Sequence, residues 1–309
     1  MKYNEIEITS SGKINIVLLG SVHGNEVGSS IAIHHFLDPL HHLIMKDYYK
    51  NIHTLYTMSF INKSGIKNNS RNIVYDSNIN DTFGKSDIIS ELKETLKAIT
   101  LEAKTTDKYL IVIDIHNSAN VSPCFVIDNN SNNRDILFRT VYIHDYINKR
   151  STNRINCVIS HSDTHTIKRF INELNHEENT NRYLGITLEL PNIGISYNEL
   201  EIQEISDRSI CTVVKCIDTL AERIFDNHDN IIIPRNDNFC ANNNGIVLFK
   251  NELNKFIDKG NVIYELRSIE DFELIEEVTA PYNCVINNTM SKYYYYLGEY
   301  ICTISEVKE

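Results

Sequence analysis

Residues 14–37 read INIVLLGSVHGNEVGSSIAIHHFL, and this stretch decides the fold. The first seven, Ile14 to Gly20, are almost all Ile, Val and Leu, a run too short for a helix and typical of a strand buried on both faces. A polar loop, Ser21 to Glu26, follows, and residues 27–37 carry a helical pattern. The same alternation continues downstream. Candidate strands are Leu55 to Asn62, Tyr109 to Asn117 (YLIVIDIHN), Cys124 to Asp128, Arg154 to Ser160 and Tyr183 to Leu190, with helical stretches at 87–104, 132–147 and 206–226. Strands alternating with helices predict an α/β domain whose sheet is largely parallel and flanked by helices. In such sheets chemistry gathers at the carboxyl ends of the strands.

After about residue 230 the pattern changes. Short strands (IIIP, GIVLFK, NVIYEL, YYYYLGEYICTI) are separated by turn signals such as Asn242 to Gly245 and Asp258 to Asn261. Residues 231–309 therefore read as a small all-β domain after a larger domain of residues 1–230, with Tyr293 to Tyr296 as an amphipathic edge strand.

The chain has 309 residues, 30 Lys plus Arg against 41 Asp plus Glu, and a formal net charge of −11. At roughly 150 residues per domain this length suits two domains. The acidic balance argues against nucleic-acid or anionic-membrane partners, which need a basic face to displace counterions. The N-terminus lacks a signal-peptide-like apolar run, and no stretch approaches the ~18 apolar residues of a membrane span. Seven widely spaced cysteines without a C-x2-C pair suit free thiols in a reducing compartment. The expectation is a cytoplasmic protein acting on a small molecule; a homo-oligomer is compatible with the sequence.

The chemistry-bearing residues sit at strand ends. Ile14 to Gly20 leads into His23-Gly24-Asn25-Glu26, an H-x-x-E that brings an imidazole and a carboxylate to one side of a tight loop, and the strand from Tyr109 ends in Asp114-Ile115-His116-Asn117. Two histidines and one carboxylate, leaving a fourth position open, form the ligand set of a catalytic zinc. Asp114, two residues before His116, reads as an acceptor standing behind a ligand and taking its N–H, or as a buried structural aspartate. Glu189 ends the apolar run Tyr183 to Leu190 and reads as a general base or as a half-buried glutamate paired with Arg or Lys. Two further groupings, His34-His35 with His41-His42 and His161 with His165, read as a helix end and a solvated loop. There is no Gly-rich phosphate loop and no G-x-S-x-G elbow, so nucleotide binding and serine hydrolysis lack support.

His23 to Glu26, Asn62 to Phe83 (NKSGIKNNSRNIVYDSNINDTF), Asp114 to Asn117 and Gly185 to Glu189 occur in an order and spacing that resemble the aspartoacylase and succinylglutamate desuccinylase family. This family is a branch of the zinc-carboxypeptidase fold. The resemblance extends to Gly245-Ile246-Val247, Lys259-Gly260 and Ala280-Pro281-Tyr282, which look like that family's lipoyl-like β domain. It implies one Zn2+ per chain held by His23, Glu26 and His116, with Glu189 as base, Arg71 polarising the scissile carbonyl and Asn80 in the substrate clamp. It also implies that a tyrosine from Tyr293 to Tyr296, such as Tyr293 or Tyr294, reaches the substrate.

The family clamp reads Asp-Leu-Asn-Arg, whereas this chain has Asn78-Ile79-Asn80-Asp81, or Ile79 at the arginine's place if aligned without a gap from Arg71. A bidentate arginine cannot be imitated by either. Asp81 would then disfavour a substrate carboxylate. The function implied is a zinc-dependent amidohydrolase, a deacylase acting on a small N-acyl amine or amino acid. A carboxypeptidase-like peptide or peptidoglycan-stem hydrolase and a catalytically silent binding relative are the alternatives.

Overall fold

The computed structural model describes residues 2–37, 49–72, 87–118, 124–128, 156–160, 167–191, 210–211, 213–215, 217–219, 235–251, 255–289 and 292–307. Seven strands form one mixed sheet: β1 (Asn4–Glu7), β2 (Ile14–Gly20), β3 (Ile52–Met58), β4 (Tyr109–Ser118), β5 (Cys124–Asp128), β6 (Asn156–Ser160) and β7 (Tyr183–Pro191). Their spatial order is β1-β3-β2-β4-β7-β5-β6. The pairs β3–β2, β2–β4, β4–β7 and β5–β6 are parallel, while β1 on β3 and β5 on β7 are antiparallel. The largely parallel sheet expected from the alternation is therefore present.

Its central strands are apolar on both faces because helical layers cover both. On one face Ile14, Ile16 and Leu18 of β2, Ile111, Ile113 and Ile115 of β4, and Leu184, Ile186 and Leu188 of β7 form the apolar rows. They pack with Ala32, Ile33 and Phe36 of α1 (Val27–Phe36) and with Val213, Val214 and Ile217. On the other face Val17, Leu19, Leu110, Val112 and Tyr183 meet Ile89, Leu92, Leu96 and Ile99 of α3 (Asp87–Thr105) and Ile167, Phe170, Ile171 and Leu174 of α4 (Ile167–Glu177). The helix residues recur every three or four positions, the spacing of one buried stripe.

Several elements differ from the expected ones. β3 ends at Met58 instead of running to Asn62, because Phe60 takes a left-handed φ of 56° and Asn62 caps a short helix, α2 (Lys63–Lys67), by accepting from the Gly65 N–H at 2.8 Å. α4 and the edge strand β1 are additions to the expected set. The helical stretch 132–147 and the IIIP strand lie outside the described residues.

Beyond residue 235 the described chain is all strand and turn. β8 (Asn236–Cys240), β9 (Gly245–Phe249), β10 (Phe256–Ile257), β11 (Val262–Arg267), β12 (Leu274–Thr279), β13 (Cys284–Thr289), β14 (Tyr294–Tyr295) and β15 (Tyr300–Glu306) build two four-stranded sheets. Their orders are β10-β13-β15-β8 and β12-β11-β9-β14. Ile263, Tyr264, Leu266, Ile286, Tyr295, Ile301 and Ile304 fill a core of their own. The tyrosine run lies at a sheet edge, as its pattern suggested, and is separated from β15 by Gly298 at φ 84°. Among the described residues no helix is long and apolar enough to cross a membrane.

Candidate metal centre

The centre is built where one face of the sheet changes from apolar to polar. Side chains alternate along a strand, and registered residues of parallel neighbours share a face. On β4 and β7 the paired rows run Leu110 with Tyr183, Val112 with Gly185, Asp114 with Thr187 and His116 with Glu189. The opposite face stays apolar through Ile115, Leu188 and Leu190, with Asn117 beside Leu190. The ionisable side chains near the carboxyl ends of these two strands, Asp114, His116 and Glu189, therefore share one face, while Asn117 is the polar residue of the opposite face.

His23 and Glu26 arrive from the loop after β2, the strand adjoining β4. Ser21 opens this loop with a left-handed φ of 55°, a conformation held by three buried serines. The Ser21 N–H donates to Ser29 Oγ (2.8 Å), the Ser21 and Ser30 hydroxyls share a 2.6 Å bond, and Ser30 Oγ accepts from the Phe60 N–H (2.8 Å). These bonds lock the ends of β2 and β3 to the start of α1.

His23, Glu26 and His116 are 1%, 6% and 4% exposed, so their charges and lone pairs are turned away from water. One ligand-capable atom from each lies within 4.8 Å of the others. His23 Nδ1 is 2.9 Å from Glu26 Oε1, His116 Nδ1 is 2.8 Å from Glu26 Oε2, and the two Nδ1 atoms are 3.0 Å apart. Asp114, itself buried, accepts from His116 Nε2 at 2.8 Å. This bond commits the far side of the ring and leaves Nδ1 facing the group, the arrangement that orients a metal-bound histidine.

The charges are strongly coupled. Burial alone would raise the Glu26 carboxyl, but hydrogen bonds from His116 and His23, and their charges, hold it well below the usual range. Burial opposes charge on His116, yet Asp114 and then Glu26 raise it well above the ordinary histidine value. For Glu189 burial is the largest cause of a raised pKa; Glu26 and Asp114 add to it while His116 and His23 oppose it. A carboxyl raised by burial beside a dense cluster of histidines and carboxylates is a group whose charge the surroundings control.

Arg71 also reaches the group. Its Nη1 donates to Glu26 Oε1 at 2.7 Å, and its side chain is 51% exposed. The Arg71 carbonyl accepts from the Gly24 N–H and from Asn62 Nδ2, each at 3.4 Å, which ties this segment to the histidine loop. Tyr293 is 82% exposed and Tyr294 sits on edge strand β14, its ring 5.3 Å from that of Tyr296. Asn80 and Asp81 lie outside the described residues, as do His41, His42, His161 and His165. Sequence reasoning missed the buried Asn62 and the serines; an Asn three residues before Gly65 is a cap signal that could have marked the first.

The chain matches no protein-family model and no curated protein. By structure it is similar to an aspartoacylase family protein of Mesorhizobium loti, at 14% identity and a TM-score of 0.62, over 99% of this chain and 89% of that one. A succinylglutamate desuccinylase of Silicibacter sp. also matches at 14% identity and TM-score 0.59, over 99% and 88% of the two chains. The product-bound ectoine utilization protein EutE of Ruegeria pomeroyi matches at 13% identity and TM-score 0.59, over 99% and 88%. The fold of this chain is the mixed α/β fold of these proteins, with the strand-rich C-terminal region included.

Proposed function

We propose that this chain is a zinc-dependent amidohydrolase that removes an acyl group from a small N-acyl amine or amino acid. The observation that carries the reading is the convergence of His23, Glu26 and His116 at the end of the sheet, with Glu189 in register beside His116. The names of the structural relatives, a desuccinylase and an aspartoacylase family protein, support deacylation as the reaction class.

The donor set fits a cation. Two imidazole Nδ1 atoms and a carboxylate converge on one point, and the Nδ1 atoms, 3.0 Å apart, are too close to direct a proton at each other simultaneously. A zinc ion bound there supplies a Lewis acid that activates water and polarises a carbonyl. Glu189 takes the proton of the attacking water on its carboxylate and delivers it to the leaving nitrogen. Arg71, half exposed and anchored to Glu26, presents positive charge toward the carbonyl oxygen as it gains negative charge.

The test is release of free amine from a panel of N-acyl compounds, before and after removal of metal by a chelator. Release that stops on chelation and returns with zinc is expected; release indifferent to chelation would refute the reading. Zinc affinity should also rise with pH. His116 holds its proton tightly in the metal-free protein, and that proton must leave before Nδ1 can bind, so affinity grows as pH climbs toward the raised His116 pKa. Titrations in buffers of different ionisation enthalpy measure the protons released; none released would contradict the assignment of His116.

A further inference from the structure

α1 begins at Val27 with Glu26 in the N-cap position, yet the Glu26 side chain makes no capping hydrogen bond. The first N–H groups of a helix have no partner within it, and the cap residue's side chain ordinarily accepts from the second or third of them. Glu26 is turned instead toward His23 and His116. The third helical N–H, that of Ser29, donates at 2.7 Å to Asn117 Oδ1, a side chain from the end of β4, 88 residues along the chain. Asn117 also donates its own backbone N–H to Glu26 Oε2 at 3.2 Å. Gly28 makes room for this side chain, because a Cβ there would meet Asn117 Nδ2 at 2.9 Å and Oδ1 at 3.1 Å.

From this geometry, and resting on the metal-centre reading above, we propose that Asn117 is a positioning residue that caps α1 in place of Glu26 and so keeps the Glu26 carboxylate available as a ligand. Asparagine is among the best capping side chains and glutamate is not. One strand end thereby does two things: His116 faces the metal group, and Asn117 fixes the spacing between that group and the helix that carries Glu26. Without the Asn117 amide the Ser29 N–H loses its close acceptor and keeps the longer contact with the Glu26 carbonyl at 3.4 Å. A poorly paired buried donor favours rotation of the Glu26 side chain back to the helix end.

The experiment measures zinc affinity by competition with a chromogenic chelator, together with thermal unfolding of the metal-free protein. Asn117→Ala should weaken zinc binding by ~10–100-fold, the usual effect of losing a residue that orients a ligand. Asn117→Asp, which keeps the acceptor, should restore most of the affinity. Gly28→Ala, which favours the helix by propensity but crowds the amide, should weaken binding in the same direction, and it decides the matter if Asn117→Ala does not fold. Full affinity in both Asn117→Ala and Gly28→Ala, with only the unfolding temperature changed, overturns the proposal. His116→Ala is the control for the underlying reading. Undiminished zinc binding in that variant removes the metal centre and this inference with it, whereas lost binding there beside full binding in the other two removes this inference alone.

Discussion

On the proposed reading, Glu189→Gln is expected to keep zinc bound and to lower kcat by ~100-fold or more, the scale at which a positioned general base contributes. Gln preserves the size of the side chain and its place beside His116, so the three convergent ligands keep their surroundings. It removes only the ability to accept a proton. The same group should govern the acid side of the pH profile. Because burial raises the Glu189 pKa, activity falls as pH drops through that raised value and protonates the base. In Glu189→Gln this limb should disappear. Equal kcat in the two proteins, measured at matched zinc content, would leave Glu189 a purely structural role.

His116→Ala should have the other large effect, on two independent measurements. Metal content by elemental analysis falls to background, since two of three protein ligands do not hold a catalytic zinc. The metal-free protein should also lose stability by about 3–5 kcal/mol, as when one partner of a buried ion pair is deleted. The physical reason is Asp114, 2% exposed: its Oδ2 bonds to His116 Nε2, and its Oδ1 has no hydrogen-bond partner. Removing the imidazole leaves a buried carboxylate without compensation. The His116 contribution carries a definite pH sign. Its folded pKa is raised, so the stabilisation is full below the ordinary histidine pKa and is lost as pH rises through the raised value. Asp114→Asn added to His116→Ala should recover part of the loss by removing the stranded charge. Denaturant unfolding of the singles and the double measures this, and strict additivity would contradict it.

The sheet was legible wherever strands are buried on both faces, since INIVLLG and YLIVIDI leave little choice of period. The histidines and Glu189 were legible as polar residues ending such runs. Two kinds of information were hidden. The pairing of His116 with Glu189, and of the Asn117 side chain with the Ser29 N–H, joins residues 73 and 88 positions apart, and no local pattern encodes register. The end of β3 was hidden because Phe60 and Ile61 continue an apolar, strand-like run, while the chain is turned by the left-handed φ of Phe60 and by the Asn62 cap. α4 is not legible because its polar residues outweigh its apolar stripe of Ile167, Phe170, Ile171 and Leu174, which the packing against the sheet reveals.

The order of the central strands also bears on when the centre comes into being. β2 lies beside β4, so Ile14 pairs with Tyr109, and β4 in turn waits for β7, with Leu110 against Tyr183. Such parallel pairings close long loops before any contact rewards them, and they place a protein on the slow side of the folding range. His23 and Glu26 leave the ribosome roughly ninety residues ahead of His116, and Glu189 follows about seventy later, at ~5–20 residues per second. During synthesis the first two of the three clustered residues must therefore wait for the third for several seconds at least. On the metal-centre reading proposed above, capture of the ion would follow the pairing of β2 with β4, and the base Glu189 would join only when β7 closes beside them.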